Sequence, residues 1–140
     1  MGQQSRSLFT LSFPSAPGAV ARGRGVDFTG AQIAAAGARG AGIARRDAAL
    51  GESFEASAIG TEVCESGGVF NAGDRLAFDA QGRVVAASAL AIAAGAVAMA
   101  SVAANGATDL TGGILPEWIV GDALEASSGA GVFVEVLLAR

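Results

Sequence analysis

Apolar residues alternate with polar ones or form short runs along the chain, a pattern that predicts β-strands rather than helices. The clearest alternation is in Leu8–Phe13, which places Phe9, Leu11 and Phe13 on one side. Glycine interrupts almost every longer window, and it costs about 1 kcal/mol relative to alanine inside a helix. The later predicted strands are Ala19–Arg22, Val26–Phe28, Ile33–Ala36, Ile43–Arg45, Glu52–Ile59, Glu62–Glu65, Arg75–Asp79, Arg83–Ala87, Val97–Val102 and Val132–Leu138. We therefore predict an all-β, single-domain fold, a β-sandwich or jelly-roll-like barrel of about eight to ten short strands.

Turn residues between these runs predict two hairpins. For the first hairpin the strands and turn are Ile43–Arg45, Asp47–Gly51 and Glu52–Ile59, and for the second they are Arg75–Asp79, residues 80–82 and Arg83–Ala87. Both hairpins are local predictions, because each joins neighbouring runs through a short turn.

The first 17 residues are predicted to form an extended N-terminal arm, and residues 18–140 to form the folded domain. Pro14 and Pro17 follow the first alternating run directly, and proline removes a backbone donor that a central strand needs. In a free tail the apolar side chains of that run would be exposed to solvent, with nothing to pack against. We therefore expect the arm to add as a strand to a partner's sheet edge, with Arg6, Arg22 and Arg24 steering it towards an acidic surface.

A short motif occurs twice in the chain, at an offset of 48 residues. In both copies an aromatic residue precedes a Gly-Asp turn and a leucine, which predicts two similar hairpins with Phe70 and Trp118 as core anchors. The two copies are Phe70-x-x-Gly73-Asp74-x-Leu76 and Trp118-x-x-Gly121-Asp122-x-Leu124.

The composition excludes many kinds of chemistry. The chain has no His, no Lys and no Tyr, and Cys64 is its only cysteine. A zinc site of Cys and His, a Ser-His or Cys-His nucleophile pair and a Schiff-base lysine are therefore impossible. No intrachain disulfide can form. We expect no enzyme activity, no cofactor and no metal.

The charge distribution bears on partners. Residues 1–50 carry six Arg and two Asp, a balance of +4, whereas residues 51–140 carry three Arg and eleven acidic residues, a balance of −8. The overall charge of −4 argues against nucleic acid as a partner, because nucleic acid requires a clustered cationic face. The uncharged stretch Val84–Ala104 is long enough to span a membrane. It is rich in alanine, so we interpret it as two buried segments around a turn near Gly95.

Three further features allow more than one interpretation. The carboxylates of Glu52, Glu55, Glu62 and Glu65 suggest a hydrolase, but the sugar-stacking aromatic residues that such a site needs are scarce in this chain. Cys64 has no basic residue nearby in sequence and is interpreted as an inert core residue. Trp118, next to Pro116, is either a core plug or an interface anchor.

The order of the turn motifs from Gly18 to Leu138 resembles that of the small capsid cement, or head decoration, proteins of tailed phages. The motifs that carry the resemblance are Gly42-Ile43-Ala44, Asp47-Ala48-Ala49-Leu50-Gly51-Glu52, Gly60, Gly68, Ala72-Gly73-Asp74, Gly82-Arg83-Val84-Val85, Gly95-Ala96-Val97-Ala98, Val120-Gly121-Asp122-Ala123 and Val134-Glu135-Val136-Leu137-Leu138. The arm of residues 1–17 has no clear counterpart in the family, and the region Asn105–Glu117 is longer than expected.

The resemblance implies a structural virion protein, made in the host cytoplasm, that sits on the outer surface of an icosahedral capsid. Its partners would be the major capsid protein and copies of itself, as a homodimer or homotrimer on symmetry axes, with no nucleic acid and no membrane. A carbohydrate- or receptor-binding β module on the particle surface is the alternative. The expected partner-binding residues are Arg6, Phe9, Leu11, Phe13, Arg22, Arg24 and Trp118.

Overall fold

The computed structural model describes residues 3–88 and 117–138, which form one all-β domain. This confirms the predicted fold class. The strands are β1 (Arg6–Phe13), β2 (Gly25–Val26), β3 (Gly42–Ala44), β4 (Phe54–Glu65), β5 (Val69–Phe70), β6 (Arg75–Phe78), β7 (Val84–Ala86), β8 (Gly121–Ala123), β9 (Ser127–Ser128) and β10 (Phe133–Leu138). In this part of the chain no helix is long and apolar enough to cross a bilayer.

The long strand β4 organises the main sheet. Eight strands form this sheet, in the order β2-β3-β4-β10-β8-β6-β7 with β1 also paired to β4, while β5 and β9 form a separate pair. Ala56 and Ser57 pair with both β1 and β3, and Gly60 and Thr61 pair with both β1 and β10. Hence β3 and β10 share one edge of β4, and β1 has the other edge to itself.

A bulge at Leu8 shapes the pairing of β1 with β4. Ser7 is opposite Gly60 and Phe9 is opposite Ile59, so Leu8 is an extra residue in β1. Gly60 has a φ of +113°, and a Cβ added there would lie 2.2 Å from the carbonyl oxygen of Arg6. Only glycine fits this close approach of two backbones.

The interior has two apolar clusters. The larger is formed mainly by side chains of the main sheet and includes Ile43, Cys64, Phe70, Leu76, Phe78 and Val136. The smaller includes Ala16, Val26 and Phe54, and the Phe13 ring stacks on Phe54 with centroids 5.0 Å apart.

Both predicted hairpins are confirmed by the pairing of β3 with β4 and of β6 with β7. The prediction of separate strands in Glu52–Ile59 and Glu62–Glu65 is wrong, because β4 continues through both. Ala19–Arg22 contributes only an isolated bridge, from Val20 to Ala48, and Ile33–Ala36 forms no strand. The strands β5, β8 and β9 were not predicted. Val97–Val102 and most of Val84–Ala104 lie outside the described residues.

Candidate functional site

The two copies of the repeated motif have opposite environments. Phe70 is only 3% exposed and belongs to the large core cluster, so its role as a core anchor is confirmed. Trp118 is 55% exposed, so the prediction that it is a core plug is wrong. The two copies also do not form matching hairpins, because β6 and β8 pair directly, with Leu76 opposite Gly121.

Trp118 takes part in a cluster with a cation on the surface. The guanidinium carbon of Arg39 lies 4.9 Å from the centroid of the Trp118 ring and 5.2 Å from that of Phe28. Both distances are within the range of cation–π attraction. The backbone N–H of Trp118 donates to the carbonyl of Gly37, at 3.1 Å, which holds this part of the chain against the loop that carries Arg39.

A cavity of about 260 Å³ lies directly behind this cluster. Arg39, Trp118 and Ile119 are exposed at its rim, whereas Ile43 and Phe78 belong to its buried lining. Gly40 contributes a bare stretch of backbone to the wall, because a Cβ there would lie 2.5 Å from the Phe78 ring. The site therefore combines an apolar interior with one charged group at its mouth.

The free edge of β1 is a second exposed surface. Within residues 3–88 and 117–138, no strand pairs with the edge of β1 that faces away from β4. Leu8 is 80% exposed and Phe9 is 54% exposed, while Leu11 and Phe13 are partly buried. Leu8 was not among the expected site residues, because a bulge that turns a side chain outwards has no signature in the alternating pattern.

The residues just before β1 bind to carboxylates of the sheet. The Ser5 hydroxyl donates to Glu62, at 2.6 Å, and the backbone N–H of Gln4 donates to Glu135, at 3.2 Å. Both carboxylates are buried. The Gln3 amide donates to Glu125 and to the carbonyl of Phe133. These contacts fasten the start of the chain across β4 and β10.

The three arginines expected to act with β1 have different roles. Arg24 forms a two-pronged ion pair with Glu65, at 2.8 and 3.1 Å, and that hydrogen bonding raises the pKa of the Arg24 guanidinium further. Arg24 is therefore held within its own chain. Arg6 and Arg22 are exposed and form no ion pair with any described residue. The arginine that packs with Trp118 is none of these three but Arg39.

The four glutamates considered as hydrolytic groups are all engaged in structural contacts. Glu62 pairs with Arg45, Glu55 pairs with Arg46, Glu65 pairs with Arg24, and Glu52 accepts the backbone N–H of Ala49. In the described ranges, no three His, Cys, Asp or Glu side chains are grouped as metal ligands would be.

Two titratable groups have shifted pKa values that bear on chemistry. Burial, with a smaller contribution from Glu62, raises the pKa of the Cys64 thiol far above its ordinary value. Cys64 therefore stays protonated, as predicted for an inert core residue. Partial burial raises the pKa of the Asp27 carboxyl, but hydrogen bonds from Thr29, Ala31 and Gly30 outweigh this and lower it below its ordinary value.

Comparison with known proteins identifies a family. A family model described as phage cement protein matches residues 5–138. No curated protein sequence matches the chain significantly.

A solved structure has a similar fold. The N base of head fiber gp8.5 of bacteriophage phi29 superposes with a TM-score of 0.63, over 94% of this chain and 96% of that chain. The two sequences are 16% identical, so this similarity concerns the fold alone.

Proposed function

This chain belongs to the phage cement protein family and is a structural protein of the phage particle, and we propose that it cements the capsid. In this proposal it is made in the host cytoplasm and binds the outer surface of the shell. There it joins adjacent major capsid protein subunits as a homodimer or homotrimer on symmetry axes. No nucleic acid, membrane or cofactor takes part.

The observation that carries the proposal is the free edge of β1. An edge strand offers unpaired backbone N–H and C=O groups to an incoming strand. Here the edge is flanked by two exposed apolar side chains, Leu8 and Phe9. Because the bulge at Leu8 interrupts the ladder, the regular stretch open to a capsid strand is residues 10–13. We propose the exposed Trp118 as a second contact.

Charge supports the same proposal. Arg6 lies at the start of β1 and Arg22 is exposed, and neither guanidinium forms an ion pair in the part of the chain that the structure describes. Unpaired surface cations attract an acidic partner at a distance that salt shortens. We therefore expect capsid binding to weaken as salt is added, and to weaken less when both arginines are replaced by glutamine.

The test is decoration of expanded empty capsids by the purified protein, measured by co-sedimentation. Replacing both Leu8 and Phe9 by serine should weaken binding by about tenfold or more, the size expected for central contacts of an interface. Thermal unfolding should change little, because both side chains are exposed.

Leu50→Ser is the matched control. Leu50 lies on the turn between β3 and β4 and is about as exposed as Leu8, so decoration by this variant should equal that of the wild type. Point variants are preferable to deleting residues 1–17, since that deletion also removes Phe13 and Ala16 from the smaller core. Equal decoration by the Leu8/Phe9 double variant and the wild type would place the capsid contact elsewhere.

A further inference from the structure

Arg39 is a cation held in place without a counter-ion among the residues that the structure describes. Two aromatic rings flank its guanidinium, yet no described carboxylate pairs with it and no hydrogen bond to a described acceptor uses its donors. Stacking between rings occupies the faces of a guanidinium and leaves its N–H edge available. Because the rings already restrict the Arg39 side chain, binding of an anion would cost little further side-chain entropy.

The cavity behind Arg39 limits the size of what can enter. At about 260 Å³ it is smaller than the roughly 300–1,000 Å³ of sites that hold drug-sized ligands. It therefore accommodates about one large side chain. Its lining is mainly apolar, with Ile43, Ala58, Phe78, Val120 and Leu138 among the contributing residues.

From this juxtaposition, we propose that the cavity and Arg39 form a binding site for a polypeptide segment that carries a large apolar side chain next to a carboxylate. The apolar side chain enters the cavity, and the carboxylate accepts hydrogen bonds from the Arg39 guanidinium in the bidentate geometry that these groups favour. Phe28 and Trp118 hold the guanidinium at the mouth. The inference rests on the proposed function in one respect, that the segment belongs to the capsid subunit.

Other ligand classes fit the site less well. A sugar needs an open aromatic face on which to stack, and Arg39 lies over the Trp118 ring. A nucleic acid needs several cations, whereas this chain has a net charge of −4 and Arg39 is the single cation lining the cavity in the described part of the chain.

The experiment uses two probe pairs and the intact protein. The first pair is 3-phenylpropionate and its neutral amide, and the second is a blocked tetrapeptide containing Phe-Asp and its Phe-Asn counterpart. Trp118 is the only tryptophan, so its fluorescence reports events at the mouth, and calorimetry detects binding that leaves fluorescence unchanged. We expect the acid of each pair to bind at least about tenfold more tightly than its neutral partner, which corresponds to about 1.4 kcal/mol.

Two variants identify the cation. Arg39→Gln should reduce the affinity for each acid to that for its neutral partner while leaving the neutral probe unaffected. Arg75→Gln, which removes an exposed arginine that lines no part of the cavity, should bind both members of each pair as the wild type does.

Several outcomes would overturn the inference. These are no binding of either acid by calorimetry, equal affinity for acid and neutral probes, or preference for the acid that survives Arg39→Gln. Tighter binding of simple sugars than of the acids would assign the site to carbohydrate instead. Because none of these measurements needs capsids, failure here is distinct from failure of capsid decoration: probes can bind a protein that does not decorate, and decoration through β1 can survive without probe binding.

Discussion

The chain contains two nearly identical short motifs whose structures differ in almost every respect. In the first copy the aromatic Phe70 is buried and Gly73, with a φ of +90°, forms a turn. In the second copy the aromatic Trp118 is exposed and Gly121 lies inside strand β8. The motifs are not equivalent hairpins but neighbours, since β6 and β8 pair with each other. Residues at matching positions of the two motifs therefore have different physical roles, which are set by neighbours that are distant in sequence.

The aromatic residues provide the strongest test of this difference. Phe70→Ala should reduce the free energy of unfolding by about 3–5 kcal/mol, because it leaves a cavity in the large core. Trp118→Ala should cost less than about 1 kcal/mol, because more than half of the side chain is already in solvent. Urea unfolding followed by circular dichroism measures both and does not depend on tryptophan fluorescence. Equal losses of unfolding free energy in the two variants would contradict this difference between the copies.

Substitution of the glycines should give the second-largest difference in stability between the two copies. A Cβ at Gly121 would lie 2.0 Å from the carbonyl oxygen of Leu137, whereas a Cβ at Gly73 meets no atom within 4 Å. Gly121→Ala should therefore cost about 3 kcal/mol through a forced backbone shift, and Gly73→Ala about 1 kcal/mol through its positive φ alone.

Substitution by asparagine distinguishes a backbone clash from the cost of a positive φ, because asparagine adopts positive φ more readily than alanine does. Gly73→Asn should recover part of the loss seen with alanine, and Gly121→Asn should recover none. Recovery at both positions would mean that Gly121 is also retained for its conformation.

The aspartates should differ by a smaller amount. The Asp74 carboxylate accepts the backbone N–H of Asn71, at 2.8 Å, and losing a hydrogen bond of this kind costs about 1 kcal/mol. Asp122, in contrast, lies in β8 and makes no side-chain hydrogen bond or ion pair with a described residue. Thermal unfolding of Asp74→Ala should show a lower Tm, while Asp122→Ala should stay within about 0.5 kcal/mol of the wild type.

Acid should change stability by the smallest amount, through Asp27 beside the Phe28, Arg39 and Trp118 cluster. The folded pKa of Asp27, next to Phe28, is lower than its ordinary value of 3.8. Its contribution to stability is therefore present above that ordinary pKa and disappears as pH falls through the lower folded pKa. We expect the wild type to lose a few tenths of a kcal/mol relative to Asp27→Asn below about pH 4. A Tm difference that is independent of pH would show that folding does not favour the ionised form of Asp27.

Local features of the fold were predictable from the sequence. The two hairpins, the buried Phe70 and the inert Cys64 follow from short-range alternation, turn residues and the absence of nearby bases. The turn caps are equally local: Asp79 accepts the backbone N–H groups of Gln81 and Arg83, both at 2.9 Å.

Non-local features were not predictable in the same way. Trp118 is exposed because β8 pairs with β6 and leaves the preceding residues at the surface, and no pattern within its own segment indicates this. The cluster of Phe28, Arg39 and Trp118 joins distant parts of the chain. The sequence therefore identified Phe9 and Trp118 as candidate site residues but not Leu8, Arg39 or Phe28, whose roles depend on a bulge and on tertiary packing.

The position of β10 has a consequence for how the protein is made. This strand, Phe133–Leu138, follows all the other described strands in sequence, yet it lies between β4 and β8 inside the sheet. Two residues near the start of the sequence depend on it too, because Gln3 and Gln4 bond to Phe133 and Glu135. Contacts between residues this far apart form slowly, since closing the long intervening loop comes first. The sheet therefore cannot be completed before β10 has been synthesised, so the earlier strands cannot reach their final pairing until that part of the chain has left the ribosome.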